Sequence, residues 1–222
     1  MEAQKKKAII LGATGLTGSE LLNLLLNDDR YEEVVLLSRS TVGFEHPKVK
    51  EFLGDLMNLK NFEEHFKADE VFCCIGTTKS KTPNKEVYRQ IDYGIPVAAA
   101  ELCKKNQIPT FLVVSAMGAN DKSKIFYNRT KGEMENAVLA LKIDNTYILQ
   151  PSLIGGKRSE KRAGEWLFKQ IMKVGNLLLV GGLEKYRSIQ PDTIAQCMVW
   201  LANNAYDKTR IESHTIKKLA AK

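Results

Sequence analysis

A glycine-rich turn between a short apolar strand and a leucine-rich helix is the feature that most constrains this chain. In order, its residues are Gly12, Ala13, Thr14, Gly15, Leu16, Thr17 and Gly18. Glycines at this spacing permit a tight turn, a close approach of the backbone to a pyrophosphate, and close packing of the helix on the strand. The free N–H groups at the start of such a helix attract phosphate. The turn therefore predicts a dinucleotide-binding site.

Short apolar runs alternate with longer amphipathic segments, which indicates βαβ units around a parallel sheet. The expected strands are Lys7–Leu11, Val34–Leu37, Val49–Leu53, Val71–Ile75, Phe111–Val114, Thr146–Leu149 and Ile211–Ile216. The expected helices are Leu16–Asn27, Leu59–Phe66, Glu86–Lys105, Phe126–Leu141 and Pro191–Ala202. Pro96 fits its helix poorly, because proline kinks a helix interior. We expect an α/β fold with a Rossmann-type doubly wound parallel sheet, in one domain over residues 1–222 whose residues 151–187 form a small C-terminal substrate lobe.

The composition argues against several classes of protein. Lys and Arg total 33 against 26 Asp and Glu, a formal net charge of +7, yet no basic stretch carries the reading element that nucleic-acid binding requires. The four cysteines and three histidines lack metal-ligand spacing. No apolar run is long enough for a signal peptide or a membrane span. We therefore expect a soluble cytoplasmic protein without a metal and without nucleic-acid or membrane partners.

Two residues at the end of the second strand, Ser38 and Arg39, bear on which dinucleotide is bound. NAD-binding proteins place an Asp or Glu here for the ribose 2′-hydroxyl, whereas this chain has Ser38. The guanidinium of Arg39 suits a 2′-phosphate, because it can form two parallel hydrogen bonds to phosphate oxygens. We expect NADP(H) as the cofactor. The alternative is that Arg39 is only a solvated residue at a strand end.

Two further loops follow strands at the edge where open α/β sheets bind ligands. Asp55 and Leu56 come after the third strand, and Asp55 is expected to bind the adenine amino group. The fourth strand is followed by a second set of cofactor-binding candidates, Cys74, Gly76, Thr77 and Thr78. A glycine permits close approach of the backbone, and threonine hydroxyls can bind ribose or phosphate. Plain turns are the alternative for both loops.

A Ser, a Tyr and a Lys predict acid–base chemistry next to the cofactor. Ser115 ends the fifth strand, and Tyr127 and Lys131 follow on one helix, four residues apart and therefore on the same face. The Lys131 ammonium is expected to lower the pKa of the Tyr127 phenol and to bind the nicotinamide ribose. Ser115 would bind the substrate oxygen while Tyr127 exchanges a proton with it. The alternative is a surface Tyr and Lys on an amphipathic helix.

The chain resembles the short-chain dehydrogenases/reductases of the atypical or extended type, and most of all the Tat-interactive-protein oxidoreductases and their small bacterial relatives. The matching segments are Gly12–Gly18, Leu37–Arg39, Gly54–Asp55, Cys74–Thr78, Ser115–Ala119, Tyr127–Lys131 and Gln150–Ser152. The resemblance implies a Rossmann core, NADP(H) and a Ser-Tyr-Lys triad. It also implies that three residues after the sixth strand lie near the nicotinamide: Pro151, Ser152 and Leu153. One position departs from the family pattern, because Asp92 stands where an Asn that assists a proton relay is usual.

Basic residues near the expected mouth of the active site favour an anionic cofactor or substrate. Lys79 follows the threonine loop, and Arg187 precedes the last major helix and is a candidate for binding a substrate carboxylate. The predicted function is an NADP(H)-dependent oxidoreductase that acts on a small carbonyl or alcohol, as a monomer or homodimer. The alternative is an NADP(H)-binding regulator whose cofactor state controls a protein partner.

Overall fold

The computed structural model describes residues 5–155 and 187–222, which form a parallel sheet of seven strands with helices on both faces. The strands are β1 (Lys6–Leu11), β2 (Tyr31–Ser38), β3 (Val49–Leu53), β4 (Glu70–Cys73), β5 (Thr110–Val114), β6 (Asn145–Gln150) and β7 (Arg210–Glu212). Their order across the sheet is β3-β2-β1-β4-β5-β6-β7, and every neighbouring pair is parallel. The predicted Rossmann-type α/β fold is confirmed.

The helices divide between the two faces of the sheet. They are α1 (Leu16–Leu26), a 3-10 helix (Leu56–His65), α2 (Lys85–Arg89), a π-helical turn (Gln90–Gly94), α3 (Ile95–Lys105), α4 (Phe126–Ala140), α5 (Pro191–Asn203) and α6 (Ser213–Ala220). Ala8 and Ile10 of β1 pack with α1, α5 and α6, whereas Ile9 and Leu11 pack with the 3-10 helix, α3 and α4. Because both faces of β1 are covered, its second half is apolar throughout instead of alternating.

The single helix predicted over Glu86–Lys105 is divided. α2 ends at Arg89, the π-helical turn follows, and α3 begins at Ile95, so that Pro96 lies in the first turn of α3. Proline is tolerated there because an N–H in the first turn has no intrahelical partner to lose. The π-helical turn also places Asp92 in the interior, where it is buried.

The last predicted strand, Ile211–Ile216, is wrong in its second half. β7 ends at Glu212, and α6 begins at Ser213. Ile211 is buried on the strand and Ile216 on the helix. A short apolar run by itself does not distinguish a strand from a helix, and here one run contributes to both.

The strand order reverses beside β1, which has β2 on one side and β4 on the other. In open α/β sheets such a switch point leaves a crevice at the carboxyl ends of the strands, where ligands bind. The turn after β1 and the loop after β4 meet there, since the N–H of Cys74 donates to the carbonyl oxygen of Leu11 at 2.9 Å. The fold therefore brings the glycine turn and the threonine loop to one edge of the sheet.

The chain leaves the described core after β6 and returns to it before α5. Most of the expected substrate lobe, residues 156–186, lies outside the described residues. At its two ends, Ile154 and Ile189 form a parallel bridge. The N–H of Gly155 donates to the carbonyl oxygen of Ile189 at 2.8 Å, and the N–H of Ile189 donates to that of Leu153 at 3.0 Å. In the two described stretches, no helix is long and apolar enough to cross a membrane.

Candidate active site

Close backbone contacts require two glycines of the turn after β1. Gly12 has φ +89°, which L side chains rarely adopt, and a Cβ atom there would lie 3.1 Å from the carbonyl carbon and oxygen of Cys74. A Cβ atom on Gly18 would lie 2.1 Å from the carbonyl oxygen of Gly12, so only glycine lets α1 pack this closely. The tight turn and the close packing that the motif requires are therefore present.

The middle glycine of the turn leaves open space at the start of α1. Outside its own helix, a Cβ atom on Gly15 would meet only one described atom within 4 Å, the carbonyl oxygen of Gly12 at 3.2 Å. Gly15 is the N-cap residue of α1, and Thr14 beside it is exposed, whereas Ala13 and Thr17 are buried. The backbone N–H groups of the first helical turn are thus open to a phosphate, and this cradle fits a dinucleotide pyrophosphate.

The end of β2 carries a buried hydroxyl that lacks a partner. Ser38 is 3 % exposed, and its Oγ forms no hydrogen bond within residues 5–155 and 187–222. A buried polar atom in this state is uncommon, since most are hydrogen-bonded. Arg39, the next residue, is exposed. An orphaned hydroxyl and an adjacent guanidinium fit the ribose end of a dinucleotide.

The loop after β3 caps the 3-10 helix. Asp55 is the N-cap residue, and its carboxylate accepts a hydrogen bond from the N–H of Met57 at 3.0 Å. Asp55 is exposed, and a cleft of about 340 Å³ beside it is lined by residues of β3 and the 3-10 helix. The side chain of Leu56 packs in the core, so that only its backbone could meet a cofactor.

The loop after β4 reaches a buried cation on α4. A Cβ atom on Gly76 would lie 3.6 Å from a carboxylate oxygen of Asp92 and 3.9 Å from Nζ of Lys131. The N–H of Thr77 donates to the carboxylate of Asp92 at 2.8 Å. Gly76 therefore keeps the approach to these two charged groups open.

The threonine hydroxyls of this loop pair within the loop. The hydroxyl of Thr77 pairs with that of Thr82 at 2.9 Å, and the hydroxyl of Thr78 pairs with that of Ser80 at 3.0 Å. Lys79 is exposed beside them. These hydroxyls hold the shape of the loop in this structure, and a bound ribose or phosphate would have to share them.

Tyr127 and Lys131 lie four residues apart on α4 but differ in burial. Lys131 is buried, and its Nζ forms an ion pair with Asp92 at 2.9 Å and donates to the carbonyl oxygen of Val114 at 3.4 Å. Tyr127 is 39 % exposed, and its ring packs edge to face on that of Tyr88 with the centroids 6.5 Å apart. The phenol thus lies at the surface of the crevice, with the cation beneath it.

Lys131 acts on the phenol of Tyr127 in the predicted direction, but it does not decide the net shift. Burial raises the pKa of this phenol and is the largest effect, Lys131 lowers it, and Asp92 raises it, so that the pKa is raised overall. Burial alone would lower the pKa of the Lys131 ammonium, but the charges of Asp92 and Tyr127 outweigh burial and raise it. At neutral pH, Lys131 is therefore a cation and Tyr127 a neutral phenol.

The hydroxyl of Ser115 is directed to a buried carboxylate. Its Oγ donates to Oε1 of Glu135 at 2.5 Å. The same carboxylate accepts hydrogen bonds from Nε2 of Gln150 at 2.9 and 3.0 Å and from Nε of Arg210 at 2.7 Å. The structure thus joins Ser115 to this polar cluster. Glu135 was not predicted from the sequence, although its position four residues after Lys131 on one helix is a signal that could have identified it.

The residues after β6 hold the returning chain in place. The buried Ser152 donates its hydroxyl to the carbonyl oxygen of Arg187 at 2.5 Å and accepts from the hydroxyl of Ser213 at 2.9 Å. Pro151 is buried beside it, whereas Leu153 is exposed. Of the three residues expected near the nicotinamide, only Leu153 presents its side chain at the surface.

Comparison with known families agrees with this geometry. A family model described as NAD(P)H-binding matches residues 12–163, beginning at the first glycine of the turn. The chain belongs to this NAD(P)H-binding family. Its membership makes the glycine turn, the partnerless Ser38 and the crevice at the switch point parts of one dinucleotide-binding domain.

Curated relatives of this NAD(P)H-binding protein include the expected family. Protein HTATIP2 of Rattus norvegicus is 33% identical over 171 residues, which cover 75% of this chain and 70% of the relative. Protein FMP52 of Candida albicans, a mitochondrial protein by name, is 33% identical over 156 residues, which cover 68% of each. The resemblance to the Tat-interactive-protein oxidoreductases is confirmed.

Solved structures similar to this NAD(P)H-binding protein share its fold. The Bordetella bronchiseptica enzyme WbmH in complex with NAD+ has a TM-score of 0.70 at 16% identity and covers 98% of this chain and 80% of its own. UDP-glucose 4-epimerase of Thermotoga maritima with UDP-glucose has a TM-score of 0.69 at 15% identity, and the match covers 96% of this chain and 81% of the epimerase chain. At such identities the likeness establishes the fold alone.

The expected cytoplasmic location is corrected by these comparisons. FMP52 of Candida albicans and FMP52 of Debaryomyces hansenii, each 33% identical to this chain, are mitochondrial proteins by name. The cysteine pattern and the shortness of the apolar run Ala8–Leu11 were the reasons for expecting the cytoplasm, but neither feature identifies a compartment. A purely cytoplasmic location is therefore not supported for this NAD(P)H-binding protein.

Proposed function

We propose that this protein is an NADP(H)-dependent oxidoreductase that acts on a small carbonyl or alcohol. One observation carries the proposal: Lys131 lies buried beneath the half-exposed Tyr127 and beside Gly76, at the edge of the sheet that also holds the turn Gly12–Gly18. A proton-carrying group and a dinucleotide cradle therefore share one crevice. That combination suits transfer of a hydride together with a proton.

A bound dinucleotide would lie along this edge of the sheet, from the end of β2 to the loop after β4. The open backbone at Gly15 would bind the pyrophosphate, and the buried hydroxyl of Ser38 would bind the adenosine ribose. Arg39 would bind a 2′-phosphate, which favours NADP(H). The segment Gly76–Thr78 would border the nicotinamide half. When bound, the nicotinamide supplies or accepts a hydride.

Tyr127 is the residue proposed to move the proton. Its Oη would give a proton to a carbonyl oxygen in reduction, or take one from an alcohol in oxidation. Lys131 is buried against Asp92, and its positive charge acts on the phenol by favouring the phenolate form. Ser115 is proposed to bind the substrate oxygen, which requires its Oγ to turn from the carboxylate of Glu135 to which it donates here.

The proposal is tested by turnover of small aldehydes and ketones with NADPH. We expect Tyr127→Phe to reduce kcat by about 10²–10⁴-fold, the range for loss of a positioned proton donor, at unchanged affinity for NADPH. Tyr206→Phe, outside the crevice loops, serves as the matched control and should keep full activity. Full turnover by Tyr127→Phe would exclude the role of its hydroxyl, and tighter binding of NADH than of NADPH would exclude the role of Arg39.

A further inference from the structure

Lys131 and Asp92 form a buried ion pair next to the candidate proton donor. Nζ of Lys131 lies 2.9 Å from Oδ1 of Asp92, and the side chains are 4% and 1% exposed. The other carboxylate oxygen accepts a hydrogen bond from the N–H of Thr77 at 2.8 Å. Since an unpaired buried charge is very costly, the ammonium of Lys131 depends on the neighbouring carboxylate for its charge.

The ion pair changes what Lys131 can do to Tyr127. A lone ammonium near a phenol favours the phenolate. Here a carboxylate lies 2.9 Å from that ammonium, so its charge offsets part of the effect of Lys131 on the phenol, although Lys131 remains the stronger of the two. Burial then decides the balance and favours the neutral phenol, in keeping with the raised pKa of Tyr127.

Few other titratable groups face this pair. Tyr88 on α2 meets the ring of Tyr127, and burial raises its pKa, so it is neutral. Cys73 on β4 acts on Lys131, and burial raises the pKa of its thiol to about 11, so it is neutral as well. In the described part of the chain, Lys131 and Asp92 are therefore the two charges that act on Tyr127 in addition to burial.

We propose that Asp92 offsets part of the charge of Lys131 at Tyr127, so that at neutral pH Tyr127 is a protonated phenol ready to donate a proton to a carbonyl oxygen. The inference rests on the proposed function and identifies the protonation state from which Tyr127 acts in carbonyl reduction. Asp92 acts through Lys131 and is a positioning residue rather than a catalytic one. The acid at this position is what distinguishes the site from one with a neutral amide.

The reductive step breaks one bond of Tyr127 and the π bond of the substrate carbonyl. The O–H bond of Tyr127 breaks, and its proton goes to the carbonyl oxygen. The carbonyl carbon gains a hydride, with both of its electrons, from a reduced nicotinamide as reductant, while the π-electron pair moves to the oxygen. The substrate becomes an alcohol, and Tyr127 is left as a phenolate. Because Tyr127 is 39 % exposed, solvent can return the proton.

The experiment is a direct titration of position 127 that needs neither cofactor nor substrate. Tyr127 is replaced by 3-fluorotyrosine, whose lower intrinsic pKa brings the titration within the stable range of the protein, and the single ¹⁹F NMR signal is followed against pH. The same measurement is made in Asp92→Asn, in the double variant Asp92→Asn/Lys131→Met, and in Glu101→Gln. Glu101 is an exposed acid of α3. Glu101→Gln removes one negative charge, as Asp92→Asn does, but at a position away from the site.

We expect Asp92→Asn to move the midpoint to lower pH, because the uncompensated ammonium then favours the phenolate. The double variant, which removes both charges, should return the midpoint toward the wild-type value, and Glu101→Gln should leave it in place. A midpoint in Asp92→Asn equal to or above the wild-type value overturns the proposal. If Asp92→Asn does not fold, the double variant decides, since a midpoint far above wild type would show that Lys131 acts uncompensated.

Turnover assays separate this inference from the proposed function. Carbonyl reduction with an unmoved midpoint in Asp92→Asn contradicts only the role of Asp92. A shifted midpoint in a protein that reduces no carbonyl contradicts the proposed function, and with it the assignment of Tyr127 as a proton donor. Reduction at neutral pH together with the shift supports both.

Discussion

At the scale of single residues, the crevice depends on the absence of one methyl group at Gly18. A Cβ atom there would lie 2.1 Å from the carbonyl oxygen of Gly12, which belongs to the backbone and cannot rotate away. The start of α1 would have to move off the turn. The same turn positions the N–H groups that would bind phosphate, so packing and binding are linked at this residue.

Gly18→Ala should lower the free energy of unfolding by about 1–3 kcal/mol, the usual cost of overpacking, and weaken dinucleotide binding. Urea denaturation and a fluorescence titration with NADPH measure the two effects. Gly94→Ala is the control, because a Cβ atom there has no described neighbour within 4 Å and alanine is the better helix former. Its stability should stay level or rise. A Gly18→Ala protein as stable as wild type would disprove the contact.

The positions of the candidate catalytic residues could be predicted from the sequence, but their electrostatics could not. The four-residue spacing of Tyr127 and Lys131 is local to one helix. Asp92 reaches Lys131 only because the π-helical turn and α4 pack together, and burial, with a smaller contribution from Asp92, outweighs the expected effect of Lys131 on the phenol. The direction of the Ser115 hydroxyl likewise depends on Glu135, which belongs to a different element.

At the scale of elements, one buried carboxylate joins α4 to three strands. Glu135 accepts hydrogen bonds from Ser115 after β5, from Gln150 at the end of β6 and from Arg210 at the start of β7. β7 is a three-residue strand at the edge of the sheet. Its attachment therefore depends on this side-chain contact as well as on pairing with β6.

Glu135→Leu should lower the free energy of unfolding by about 2–3 kcal/mol, because the buried Ser115 and the partly exposed Gln150 and Arg210 lose their shared acceptor. The value is below that for a fully buried ion pair, since the side chain of Arg210 is 44% exposed and partly solvated. Chemical denaturation measures the change. Glu133→Gln on the same helix is the control: its pair with Arg89 is partly exposed, so a loss below about 1 kcal/mol is expected. Equal losses of stability in both variants would show that the hydrogen bonds of Glu135 stabilise the fold no more than a partly exposed ion pair does.

Elements with one dominant local signal could be predicted to within a few residues. β1, α1, α4 and α5 each combine a clear apolar period with a glycine, a proline or a polar boundary. The π-helical turn between Arg89 and Ile95 carries no such signal. Its extra residue per turn depends on how α2 and α3 pack in the folded protein, which a local sequence pattern does not show. The boundary between β7 and α6 within Ile211–Ile216 could not be predicted for a similar reason. Strand pairing ends at Glu212, and no glycine or proline marks that position in the sequence.

At the scale of the whole molecule, the two ends of the sheet have different roles. The carboxyl end carries the loops of the candidate site. The amino end is closed by a buried network in which the hydroxyl of Tyr31 donates to Glu70, Lys6 pairs with Glu70 at 3.2 Å, and Asn203 donates to the oxygen of Tyr31 at 2.8 Å. These residues fix β1, β2, β4 and α5 to one another on the side away from the cofactor.

This network should make stability depend on pH. Burial raises the pKa of Glu70 despite the hydroxyl of Tyr31 and the charge of Lys6. The folded protein then binds this proton more tightly than the unfolded chain. The stabilising effect is complete below the ordinary pKa of a glutamate and is lost as the pH rises through the folded value.

Glu70→Gln should remove that part of the pH dependence. In urea denaturation from about pH 4 upward, the free energy of unfolding of the wild type should fall relative to that of Glu70→Gln as the pH rises. Glu101→Gln, an exposed acid, should keep the wild-type dependence. Parallel pH profiles for the wild type and Glu70→Gln would refute the assignment.

The bridge between Ile154 and Ile189 bears on how proteins of this kind diversify. Two backbone hydrogen bonds hold the chain where it leaves the sheet and where it comes back, so the number of residues in between is not dictated by the fold. The stretch 156–186 can be lengthened, shortened or exchanged while β6 and α5 keep their places.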